Sequence, residues 1–319
     1  MSVLVIIDKK EKSFSSLSLE AVSYGAELAK NMNQEVFVAS FGKLDDAQCT
    51  QIANANGANI ISVNNLEGSL FDDALFTCIA NELVSEKEAN IIVCANTFPL
   101  KSIAPRLAVK LDASFISNVE GLNKDNPISI FLKKVYTGKA LSYVKALSKK
   151  IILTVSPNSF GVHNIPQEYN VENFDGTKGE SSTLELIERD MGEDKLLLEE
   201  ANIVVSGGRG MRGPENWPLL EEFASLLGAA TACSRPVADE NWRPEDEHVG
   251  QTGKIIAPSL YFALGISGAI QHMGGISGSK CIVAVNKDPE ASIFKFANYG
   301  MVADLQKVLP KFIEVLKNK

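Results

Sequence analysis

Hydrophobic and polar positions alternate in two registers along the first third of the chain. Short β-branched runs at 3–7, 35–40, 59–63 and 90–94 predict strands. The segments between them, 19–32, 45–54 and 71–86, carry apolar residues near i, i+3 and i+4 and predict amphipathic helices, with another over 99–111. Such alternation is the pattern of βαβ units and implies a mainly parallel sheet. The pattern then changes. Three strand-like runs with short connections, at 129–136, 140–146 and 150–155, predict a β-meander or antiparallel addition at the sheet edge.

Regularity is lost over 157–194, where Pro157, Gly161, Pro166, Gly176 and Gly179 sit among polar residues and mark a loop-rich connection. Within it, 183–189 predicts one more strand of the first domain. A fresh strand begins at Asn202-Ile203-Val204-Val205-Ser206. From there the pattern predicts strand 202–206, helix near 214–228, strand near 229–233, helix near 259–273, strand 281–286 and helix 303–316. The expected architecture is α/β throughout: an N-terminal α/β domain with a mainly parallel sheet over 1–192, and a doubly wound α/β domain over 193–319. A length of 319 residues agrees with two domains.

Composition changes this picture little. Apolar residues make up 45% and charged residues 22%, as in an ordinary globular protein. A net charge of -8 argues against nucleic acid as a main partner, since a phosphate backbone needs clustered Lys and Arg. The five cysteines are widely spaced, odd in number and without a CxxC pair, and read as reduced residues. The first strand starts almost at Met1, with no signal or transit pattern ahead of it, so a cytoplasmic location is expected. Between Lys254 and Lys280 no side chain carries a fixed charge, which resembles a membrane span by length. Pro258, Gly265, Gly268, Gln271, His272, Gly274, Gly275 and Gly278 would put breakers and unsatisfied polar groups in lipid, so the stretch predicts buried loop and helix instead.

Candidate chemistry lies in the second domain. Gly208-Arg209-Gly210-Met211-Arg212-Gly213 is a GxGxxG turn between a strand and a helix, where backbone N–H groups can approach a pyrophosphate. Pro214 suits the helix start. A nicotinamide site would then want an acid about 20 residues on. Cys233-Ser234-Arg235-Pro236 stands there, so NADP remains open and NAD is disfavoured; a ligand-free strand–helix turn is the equal alternative. Val249-Gly250-Gln251-Thr252-Gly253-Lys254 brings two glycines, an amide and a hydroxyl into one loop, suited to a planar polar ring or a phosphate. Gly265-Ile266-Ser267-Gly268-Ala269-Ile270-Gln271-His272 reads as a glycine turn entering a helix, with Ser267 as N-cap and small residues opening the helix start to an anion. Asn286-Lys287-Asp288 closes a buried strand at its C-terminal end, where ligands of parallel sheets sit.

These motifs, with Ile282-Val-Ala-Val-Asn286, Tyr299-Gly300 and Asp304-Leu305, occur in an order and spacing that resembles the electron-transfer flavoprotein alpha family. The resemblance covers essentially all of 201–319; the N-terminal part matches in general α/β layout. It implies one FAD on the C-terminal domain, covered by a beta subunit. It places Arg209, Ser234, Arg235, Val249, Gly250, Gln251, Thr252, Ser267, Gly268, Ala269, Ile270, Gln271, His272, Asn286, Asp304 and Leu305 against that cofactor. Ser267 and the helix start would serve the pyrophosphate, and Asn286, Asp304 and Leu305 the adenosine end. Thr252 would meet flavin N5, with Arg235 and His272 near the isoalloxazine. A nearby Arg or protonated His would stabilise the anionic reduced ring: a full charge at ~4 Å and an effective dielectric of ~20 contributes on the order of 4 kcal/mol, or ~180 mV.

The resemblance further implies an electron carrier rather than an enzyme, taking electrons from flavin dehydrogenases such as acyl-CoA dehydrogenases toward a membrane quinone reductase, without itself entering the membrane. Its rivals are an electron-bifurcating, NADH-oxidising complex with a second FAD in the beta subunit, and an NAD(P)-linked dehydrogenase using the 208–213 turn. Asn298 and Ser292 depart from the family's usual Asp and Pro, at positions not assigned to FAD.

Overall fold

A computed structural model describes residues 1–9, 13–64, 72–123, 129–136, 138, 140–176 and 197–318. The chain divides into two compact units, Met1–Asp190 and Met191–Lys319. The domain boundary expected at 192/193 and the strand expected over 183–189 lie outside the described residues.

In the first unit β1 (Ser2–Asp8), α1 (Ser16–Met32), β2 (Glu35–Phe41), α2 (Asp46–Asn54), β3 (Asn59–Val63), α3 (Asp73–Glu86), β4 (Ala89–Cys94) and α4 (Phe98–Leu111) follow the predicted order. Polar side chains fix three of the helix starts. Ser15 accepts from the Ser18 N–H, Asp72 from Ala74 and Leu75, and Asp45 forms a reciprocal capping box with Gln48. Val3 to Ile7 of β1 are fully buried, as befits a strand paired on both edges and covered on both faces.

The remaining strands of this unit are β5 (Ser114–Val119), β6 (Ile130–Val135), β7 (Ala140–Lys145), β8 (Ile151–Val155) and β9 (Asn170–Phe174). The described strands make one sheet in the order β7-β6-β5-β8-β4-β1-β2-β3-β9. β6 and β7 form the expected antiparallel addition at one edge. The third run of the predicted meander does not join them: β8 lies between β4 and β5, parallel to both. All five of its residues are buried, whereas β7 is exposed or half-buried throughout, and burial on both faces selects an interior place. β5 and β9 were not anticipated. β9 pairs with β3 from within the segment expected to be loop, and four of its five residues are exposed.

The second unit contains β10 (Ile203–Gly207), α5 (Trp217–Leu226), β11 (Ala230–Cys233), α6 (Arg235–Asp239), β12 (Leu260–Leu264), α7 (Ile270–Ile276), β13 (Cys281–Asn286), β14 (Tyr299–Val302) and α8 (Leu305–Lys317). Its sheet runs β11-β10-β12-β13-β14, parallel throughout. Successive strand residues go to opposite faces. Val204, Tyr261, Ala263 and Ala284 pack with Met273 and Ile276 of α7; Val205, Leu264 and Val285 pack with Leu220 and Phe223 of α5 and with Leu309 and Ile313 of α8. Helices on both faces make this the doubly wound layout. The helix predicted over 259–273 is corrected: its first part is β12, the middle strand of the sheet, and only 270–276 is helical. An inner strand needs apolar residues on both faces, so its sequence lacks the alternation that separates strand from helix. The helix expected near 214–228 opens with a 3₁₀ turn at Pro214–Asn216.

Candidate functional site

Parallel pairing sends the carboxyl ends of β10, β11, β12 and β13 to one edge of the sheet, and the loops leaving them surround a cavity of about 650 Å³. The turn after β10 is folded onto the turn after β12. Gly210 N–H donates to the Gly265 carbonyl at 3.0 Å, and a Cβ on Gly265 would lie 2.7 Å from the Gly210 Cα. Gly265 itself holds φ +67°, a conformation that suits glycine. Two of the glycine positions in question therefore serve backbone-on-backbone packing as well as any ligand. The 248–254 loop is clamped between neighbours: Val249 N–H donates to Cys233 C=O at 3.0 Å, and Gln251 N–H to Gln271 C=O at 2.8 Å.

Of the residues singled out from sequence, Arg209, Ser234, Arg235, Val249, Gly250, Thr252, Ser267, Ala269, Gln271, His272 and Asn286 line this cavity. Arg235 donates to Thr252 Oγ1 at 3.0 Å, which brings two of the residues expected beside the ring into contact. Asn286 Nδ2 donates to Ile266 C=O at 2.9 Å and so ties β13 to the β12 turn. Gln251, Gly268, Ile270, Asp304 and Leu305 are not among the lining residues. Gly268, at φ +85°, packs on the Ile293 backbone; Ile270 is exposed; the Leu305 side chain is buried in the α5/α8 core. Asp304 caps α8 through Gln306 N–H and holds Arg212 in a 2.8 Å ion pair; the Gln306 bond first, and then Arg212, keep its carboxyl below the ordinary range. Through Arg212, which does line the cavity, Asp304 reaches the site indirectly.

Two expectations are corrected. Ser267 is not a helix cap, because α7 begins at Ile270 with Ala269 in the cap position and no side-chain bond there. His272 is not a cation. Burial pushes its pKa down to about 4, with His248 adding to the effect and the Val249 backbone opposing it. Its Nε2 lies 2.9 Å from the Tyr261 hydroxyl, while Nδ1 is buried without a hydrogen-bond partner of good geometry. Lining residues that had not been assigned include Arg212, Asp239, His248 and Lys287. Each is a close chain neighbour of an assigned residue: Asp239 stands one turn after Arg235 and pairs with it at 3.5 Å, and His248 directly precedes Val249. Burial first, and then Arg235, lower the pKa of His248.

Arg209, Arg212, Arg235 and Lys287 line this cavity with the carboxylate of Asp239, while Glu240 and Asp304, outside the lining, pair with Arg209 and Arg212. That excess of positive charge, with the uncapped start of α7, fits a pyrophosphate. The volume is in the range of cofactor pockets. A dinucleotide satisfies both. Among the described residues no group of three or more His, Cys, Asp and Glu could hold a metal ion, and no helix is long and apolar enough to cross a membrane.

Comparison with known proteins agrees. The electron transfer flavoprotein FAD-binding domain matches residues 197–277, and the electron transfer flavoprotein domain matches residues 3–178. The chain is 32% identical to electron transfer flavoprotein subunit alpha of Thermoanaerobacterium thermosaccharolyticum, over 99% of this chain and 97% of that one. It is 35% identical to the subunit of the same name from Pseudomonas aeruginosa, over 98% of each chain. Against a probable mitochondrial alpha subunit of Caenorhabditis elegans the identity is 33%, over 99% and 93%.

Proposed function

The chain belongs to the electron transfer flavoprotein alpha-subunit family, and from that premise we propose that it is the FAD-carrying half of a carrier moving electrons from flavin dehydrogenases, acyl-CoA dehydrogenases among them, toward a quinone reductase. Its C-terminal domain is an FAD-binding domain, and its partner is a beta subunit. The observation that carries the residue assignment is the cavity at the strand ends, lined by the cations Arg209, Arg212, Arg235 and Lys287.

Bound FAD supplies the electron transfer; the chain supplies binding and tuning. Arg209, Arg212 and Lys287 neutralise the pyrophosphate, helped by the first turn of α7. Ser234 and Asn286 offer short polar side chains at the ends of β11 and β13. Arg235 sets the potential of the ring. Because Thr252 Oγ1 accepts from Arg235, its own hydroxyl hydrogen is left to donate to the ring.

Co-expression with the beta subunit tests this reading. A yellow 1:1 heterodimer, bleached by a catalytic amount of an acyl-CoA dehydrogenase plus acyl-CoA, is the expected outcome. Bleaching by NADH, with two FAD per heterodimer, would transfer the chain to the bifurcating complexes. A colourless heterodimer that binds NADP would overturn the assignment of the cavity.

A further inference from the structure

His248 lines the cavity together with Arg235, Asp239 and Thr252, and is half-buried. A Cβ on Gly253 would lie 2.6 Å from its Nδ1, and one on Gly250 3.2 Å from its Nε2, so the ring rests on the 250–253 turn that carries Thr252. Backbone bonds fix the residue there: its N–H donates to Glu245 C=O at 3.0 Å, and its carbonyl accepts from Lys254 N–H at 2.8 Å. Among the described residues neither ring nitrogen has a hydrogen-bond partner, so no bond inside the protein holds the ring in one protonation state. His272, the other histidine at the cavity, differs on both counts: it is buried, with Nε2 2.9 Å from the Tyr261 hydroxyl.

The charged and titratable groups that act on His248 are Arg235 and Asp239 of α6, Glu245 of the 3₁₀ turn Glu245–Glu247, and His272 of α7. Partial burial first, and then Arg235, outweigh Asp239 and Glu245 and leave the ring neutral at neutral pH. A negative charge arriving in the cavity acts in the opposite direction to Arg235 and favours the protonated ring. We propose that His248 is the charge-compensating residue of this cavity: when reduction places negative charge there, its ring takes up one proton from solvent, and it releases that proton on reoxidation. Electrons come from the flavin of a donor dehydrogenase, which is oxidised as the cofactor here is reduced. The proton adds to a ring nitrogen of His248, and no bond to the cofactor forms or breaks. This rests on the FAD reading of the cavity, with Arg235 and Thr252 at the isoalloxazine. Arg235, a permanent cation, gives the potential a fixed offset, whereas His248 makes it follow pH.

The test is an NMR pH titration of the His248 ring in the heterodimer in three states: FAD removed, FAD bound and oxidised, and FAD bound and fully reduced with dithionite. Expected is a midpoint roughly one pH unit or more higher in the reduced than in the oxidised state, about a tenfold gain in proton affinity. Across that interval the two-electron flavin potential falls more steeply with pH in wild type than in His248→Gln, by about 30 mV per pH unit, which is one proton per electron pair. A midpoint that is the same oxidised and reduced overturns the proposal. So does one that rises when oxidised FAD binds and no further on reduction, which would assign the effect to the pyrophosphate. Equal slopes in wild type and His248→Gln overturn it as well. If His248→Gln does not retain FAD, the wild-type titration alone decides. Failure of the FAD reading shows differently, as a heterodimer without flavin absorbance and therefore without a reducible state.

Discussion

Arg235 is held at two points, by Thr252 Oγ1 at 3.0 Å and by Asp239 at 3.5 Å, with its side chain 60% exposed. Water and the carboxylate both dilute its field. Arg235→Ala should therefore lower the flavin potential by on the order of 60 mV, a tenfold step for a one-electron couple, and not by the ~180 mV of an unscreened charge. Redox titration of the heterodimer checks this; no change would remove Arg235 from the ring. His272 makes a separate statement about acid stability. Its folded pKa of about 4 lies below the ordinary 6.5, so the unfolded chain binds the extra proton between these values. Stability is full above pH 6.5 and falls as the pH drops toward 4, by up to about 3 kcal/mol from this group. In His272→Asn the slope of unfolding free energy against pH should lose about one proton across that window, as read by urea unfolding.

The turns after β10 and β12 act as one element, since neither closes without the other. Gly265→Ala adds a Cβ that meets the Gly210 backbone at 2.7 Å, on top of the strain at φ +67°. Gly228 has a similar φ of +60° but open space around it, so Gly228→Ala should cost about 1 kcal/mol in thermal unfolding. Gly265→Ala should cost clearly more and also weaken FAD retention, measured by flavin release on gel filtration. Equal effects would mean that the close approach is unimportant. The same pair shows what was legible in advance. The glycines of 208–213 and the 265–272 turn were visible as motifs, but their packing on each other was not, because contact between distant turns leaves no local pattern. The order of elements through α4 was readable, as each amphipathic helix follows a β-branched run. β8 and β12 were misplaced for a common reason: an inner strand carries no polar face to set its period. β9 was missed for the opposite reason, being polar and mostly exposed at an edge. Most of the cavity lining followed from motif resemblance; Arg212, Asp239, His248 and Lys287 required the geometry.

At the scale of the molecule, each unit has its own apolar clusters, one built from β1 to β8 and its helices, the others from β10 to β13 with α5, α7 and α8. Separate cores predict separately addressable unfolding. FAD at 100 times its Kd should add about 2.7 kcal/mol to the C-terminal unit and leave the N-terminal unit unchanged, resolved by calorimetry with and without the cofactor. A single transition that shifts as a whole would show the two units to be coupled. The all-parallel second sheet has a further consequence, for the order of events in biogenesis. Its cavity is contributed by turns that follow four different strands, from Arg209 to Lys287, and parallel neighbours cannot pair until the crossover between them is made. A growing chain thus has no half-built pocket to offer. Flavin capture has to wait for the last of these strands, so cofactor uptake reports that β10 to β13 are all in place.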